Sequence, residues 1–152
     1  MRLGIGVAAA MLCGLLWATA APAEVPNRTP DQLKQQAQDI VVGQVQAIYR
    51  TSERQANHEH TDAVAEIRIT AVEKGSTFKP GDLVYARFWN RTWLGTGSPP
   101  PGSGGHHGTP KKGDSVRVYL GRGEDQGHDV LLPNGFQVVP AANGPAATSP
   151  AK

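Results

Sequence analysis

The chain has 152 residues, with 15 Lys or Arg against 13 Asp or Glu, so its formal charge is only +2. That length fits a single domain. A near-neutral surface has no general attraction for a phosphate backbone, which argues against a nucleic-acid partner.

The first segment, residues 1–23, carries Arg2, then an apolar run, then Ala21-Pro22-Ala23, the small-x-small ending that a signal peptidase accepts. This is the layout of a secretory signal peptide and predicts a secreted or periplasmic protein of bacterial type. The alternative is that the run is retained as a membrane anchor, but Gly4, Gly6 and Gly14 and the small-residue end favour cleavage. Cys13, the single cysteine, lies in this run behind Leu12, where a lipoprotein signal needs a small residue. Cleavage leaves a chain of formal charge +1, because only Arg2 is lost, with no cysteine and no membrane span. Disulfides, thiolate metal sites and cysteine nucleophiles are then excluded, and an apolar core must hold an exported protein together.

Residues 24–38 read as an exposed leader and a short helix. Thr29 and Gln32 form a Thr-x-x-Gln capping box, Pro30 suits the first turn, and Asp31 complements the helix dipole. Leu33 and Ala37, four apart, give it a small apolar face.

From Asp39 the period changes to two, the mark of strands with one buried face. In DIVVGQVQAIYR the alternation turns Val41, Val45, Ala47 and Tyr49 inward. In AVAEIRITAVEKG it turns Ala65, Ile67 and Ile69 inward, with Glu66, Arg68 and Thr70 opposite. DLVYARFWN places Val84, Ala86 and Phe88 on one face and Tyr85, Arg87 and Trp89 on the other. DSVRVYLG groups Val116, Val118 and Leu120. HDVLLPNGFQVV is a fifth element interrupted by the turn signal Pro133-Asn134-Gly135. Two strands start from like corners, Lys79-Pro80-Gly81-Asp82 and Lys111-Lys112-Gly113-Asp114, where glycine permits positive φ and aspartate bonds nearby N–H groups.

Five short strands with one apolar face must close on themselves. The expected fold is all-β: a small five-stranded antiparallel OB-like barrel over 39–139, with one N-terminal helix, a flexible loop over 95–110 and a disordered tail over 140–152. An open sandwich capped by the helix is the alternative.

The segments DIVVGQVQAI, AVAEIRITAVEKGS, KPGDLVYARF and KKGDSVRVYL share a strand rhythm and Gly-Asp corners. Over residues 39–121 the chain resembles the small OB-fold domains related to netrin modules and tissue inhibitors of metalloproteinases, a group with exported bacterial members. The resemblance implies a fold. The animal inhibitors reach a protease's metal with an N-terminal cysteine, which this chain lacks, so inhibition does not carry over.

Two constellations suggest chemistry. Tyr85, Arg87, Trp89 and Trp93, with Arg68 on the neighbouring strand, alternate aromatic and cationic groups on one face. Aromatic faces stack on sugars, and arginine grips a carboxylate or phosphate. The competing reading is that Trp89 and Trp93 tuck under the long loop as a small second core. The other constellation is histidine: His58 and His60 face the same way on a strand, and if His106 and His107 folded over them, four imidazoles would suit zinc or copper. The bland reading is four solvated loop residues. No Gly-x-Ser-x-Gly, His-Glu-x-x-His, P-loop or dinucleotide motif occurs, so a hydrolase is a third reading without a motif behind it. The expected function is an exported, non-catalytic binding module without cofactor, its ligand a glycan, an acidic small molecule or a protein; the alternative is a divalent-metal binder using those histidines.

Overall fold

The computed structural model describes residues 25–100 and 104–140. The elements in chain order are α1 (Pro30–Gln36), β1 (Asp39–Gln55), β2 (His58–Lys74), β3 (Leu83–Trp93), β4 (Ser115–Arg122), β5 (His128–Val130) and β6 (Phe136–Val138). Residues 1–23, read above as a signal peptide, and residues 141–152 of the expected tail lie outside the described residues. Among these, no helix is long and apolar enough to cross a membrane.

The strands run β1-β2-β3-β5-β4, and β4 pairs back onto β1, so the sheet closes into a five-stranded barrel; β6 adds to β4 beside β5. The open sandwich is therefore ruled out. All pairings are antiparallel except β3–β5, which is parallel. The reason is parity: strand directions cannot alternate all the way round a ring with an odd number of members, so one pair must run the same way. That seam is short, with only Ala86 opposite His128 and Arg87 opposite Asp129.

The core follows the alternation. Val41, Val45, Ala65, Ile67, Ile69, Val84, Ala86, Phe88, Val116, Val118 and Leu120 are all buried in one cluster, joined by Val130 and Phe136. β1 departs from the simple pattern. Val45 pairs with Ile67 and Ala47 with Glu66, so Gln46 is an extra residue, a β-bulge. Beyond it the facing residues change parity: Ile48 packs on the core, while Tyr49 points out and is 56% exposed.

The helix forms as its sequence dictates. Gln32 N–H donates to Thr29 Oγ1 and Thr29 N–H donates to Gln32 Oε1, the reciprocal box. Its apolar face is fully covered: Leu33 and Ala37 bury with Ile40 and Tyr119 on the outside of β4. Lys74 Nζ donates to the carbonyls of Lys34 and Ala37, satisfying the helix's C-terminal end.

The two Gly-Asp corners are the same structure used twice. Gly81 and Gly113 have φ of 93° and 92°. Lys79 and Lys111 donate their N–H to the Asp82 and Asp114 carboxylates at 2.9 and 2.8 Å. Gly81 N–H then bonds Ile69 O, and Gly113 N–H bonds Val45 O, both at 2.8 Å. Each corner thereby hooks the incoming strand onto the strand it will flank.

Candidate functional site

β1 pairs with β4 only through Asp39–Gln44, whereas it pairs with β2 along nearly its whole length. Past the bulge, β1, β2 and β3 continue as an arm, and the barrel has a mouth there. A cavity of about 560 Å³ occupies this mouth, within the usual range of small-ligand sites.

One cross-strand row organises it: Arg50 is opposite Ala63, and Ala63 is opposite Phe88. Residues directly opposite share a face, and Ala63 and Phe88 are buried in the core, so the row faces inward. Val130, Leu132 and His106 complete the interior lining, and the chain neighbours of the row, Trp89 and Arg87 among them, also border the cavity. Its floor is apolar. Arg50, at the end of the row, is exposed and forms no ion pair or side-chain hydrogen bond among the described residues.

The five residues expected to form a ligand face, Arg68, Tyr85, Arg87, Trp89 and Trp93, do lie on the outer surface of β2 and β3, but they do not make one open platform. Arg87 interrupts it. Its Nε donates to Asp129 at 2.7 Å and its terminal nitrogens donate to Asp125. The bond to Asp125 and then the one to Asp129 raise the guanidinium's pKa, and the Asp125 carboxyl is held down to about 2, first by Arg87 and then by the Gly127 N–H. A guanidinium shared by two carboxylates is no receptor for a third anion; its work is to tie β3 to the β4–β5 turn. Arg68 donates to the Gly81 carbonyl at 3.0 Å. Gly95 lies directly over the Trp93 indole, so close that a Cβ there would collide with the ring. Trp89 is wedged between His60, at 5.5 Å between ring centroids, and His106, at 6.3 Å. Both tryptophans are half-buried, as the tucked-loop reading expects. Tyr85 is open, 53% exposed, beside a lesser pocket of about 220 Å³, and Arg68 is exposed as well.

The structure does not bring the four imidazoles together. His106 is buried, and its ring bridges two strands: Trp89 N–H donates to Nδ1 at 3.1 Å, and Nε2 is 2.8 Å from the Val130 carbonyl. A carbonyl only accepts, so Nε2 donates to Val130, and the imidazole stands in for a missing backbone rung between β3 and β5. His107 turns the other way, to Asn27 Oδ1 at 3.1 Å. His58 stacks on Trp93 at 5.8 Å, and His60 Nε2 meets Asp62 at 3.2 Å. The Nδ1 atoms of His58 and His60 are shut off from solvent. Among the described residues no group of three or more His, Cys, Asp or Glu is placed to hold a metal ion. The physical reason is the returning limb of the Gly/Pro connector. It docks on β3 through His106 N–H to Trp89 O and Arg91 N–H to Gly104 O, with Gly105 at φ 138° and its Cα hydrogen side against the backbone of Asn90, where a Cβ would clash. That docking draws His106 inward, away from His58 and His60.

The residues that simple alternation misses are Arg50 and the interior lining of the mouth. Counting by twos from Val41 puts Tyr49 inside and Arg50 outside; the bulge at Gln46 exchanges them. The signal available in the sequence was Ile48, an aliphatic residue out of phase with Val41 and Val45. No protein-family model matches the chain, and neither a curated protein nor a solved structure matches it.

Proposed function

We propose that this protein is an exported, non-catalytic binding module that takes a small ligand into the mouth of its barrel. The observation that carries this is the cavity itself: about 560 Å³, floored by Ala63, Phe88, Val130 and Leu132 and edged by Arg50, which is unpaired among the described residues. The signal-peptide layout of residues 1–23 supports export. The non-catalytic reading is supported by the engagement of the nearby reactive groups. The His106 ring is held by two backbone groups and Asp129 by Arg87, and the lining contains neither serine nor cysteine.

The test is a titration of the ¹⁵N-labelled protein with a panel of short glycans and small mono- and dicarboxylates, followed by amide chemical shifts. Binding at the mouth moves the signals of Arg50, Ala63, Phe88 and Val130 together. Shifts grouped instead on Arg68, Tyr85 and Trp93 would transfer the site to the outer face. A panel that moves none of these residues would sink the reading.

A further inference from the structure

We infer that the mouth is selective for an amphiphile with a single carboxylate, whose apolar body enters the barrel and whose head is held by Arg50. This rests on the mouth being a ligand site and names the chemistry it takes. The first ground is the composition of the interior row. Ala63 and Phe88 present only carbon to the cavity, and Val130 and Leu132 extend that surface across to β5 and the turn beyond it. Such a wall gains nothing from a polar ligand body and favours one that leaves water for it.

The second ground is electrostatic. The acidic groups that border the cavity are already occupied: Asp129 accepts from Arg87, and Asp62 accepts from His60. Arg87 is neutralised by Asp125 and Asp129. Both nitrogens of the His106 ring are engaged by backbone groups of Trp89 and Val130. Arg50 is what remains, a planar guanidinium with all its donors available, at the exposed end of the row rather than in its depth. An arginine so placed binds a carboxylate through two parallel N–H···O bonds. A cation ligand would meet no free carboxylate here, and a neutral one would leave Arg50 unanswered. The width of the arm beyond the row agrees. Ser52 and Thr61, the next inward pair, bond to each other at 2.8 Å and so do not compete for the head group.

The experiment is calorimetric titration of the protein with decanoate, below its micelle concentration, and in parallel with decan-1-ol, for the natural chain and for Arg50→Gln. The expected result is saturable binding of decanoate, at least ten-fold weaker decanol binding, and a loss of at least ten-fold in decanoate affinity in the variant with decanol unchanged. Far-ultraviolet circular dichroism checks that the variant keeps its sheet, and Arg50→Lys, which retains charge but not the fork, should fall between the two. If decanoate and decanol bind equally and Arg50→Gln changes neither, selectivity for the charge is wrong while the mouth stands as a site. If neither ligand binds, the amphiphile inference is wrong, while the mouth as a site stands or falls with the amide shifts of the glycan and carboxylate panel.

Discussion

The two ends of the barrel are built from the same three strands and behave differently. At the near end, Val41, Val45, Ile67, Ile69 and Val84 meet Val116 and Val118 across a complete ring, and each is at most 1% exposed. At the far end the same strands carry Arg50, Ser52 and Arg54 where an aliphatic would be needed, β4 no longer flanks β1, and a cavity remains. Closure thus follows the inward-facing residues: where they are aliphatic the sheet wraps to exclude water, and where they turn polar it stays open. A stable half holds the other half in the shape of a vessel.

The largest effect that should separate the ends is in the closed one. Ile67→Ala removes a fully buried side chain and is expected to cost about 2–5 kcal/mol in urea or thermal unfolding; a loss under about 1 kcal/mol would mean the near end is not the cooperative core. A smaller loss is expected at the seam. His106→Ala leaves the Trp89 N–H and the Val130 carbonyl without their partner, a cost of about 1–3 kcal/mol, and amide exchange should quicken at Trp89 and Val130 more than at Ile67. Equal quickening everywhere would contradict the division into two ends. The smallest effect is local and set by pH. The folded Asp125 carboxyl sits at about 2 against an ordinary 3.8, a depressed value, so its bond to Arg87 contributes above the ordinary value and is lost as pH falls through about 2. Carboxyl carbon shifts should report that step at Asp125 while the core amides stay unmoved; a titration near the ordinary value would remove the clamp.

Much of the fold was legible because period-two patterning needs only local residues to agree. Ile67, Phe88 and Val118 declare their face wherever the strand ends up, and Thr29 with Gln32 declares its cap. Two things were not legible. A bulge is one residue in an otherwise regular strand, and Gln46 looks like any other polar residue on a wet face; yet it decides which of Tyr49 and Arg50 enters the barrel. The place of His106 depends on a docking between segments distant in the chain, which composition alone described as slack. The side chains from Tyr85 to Trp93 point outward as alternation expects, but the partners that engage Arg87, Asp125 in the β4–β5 turn and Asp129 on β5, come from distant segments that strand rhythm does not place.

The glycine- and proline-rich stretch between β3 and β4 has a consequence for anyone engineering this protein. Its returning limb contributes a buried imidazole, His106, to the wall of the cavity, and Pro110 beyond it is buried as well. Trimming it to a tight turn, the routine tidy-up for a wordy linker, would uncork the vessel rather than streamline it.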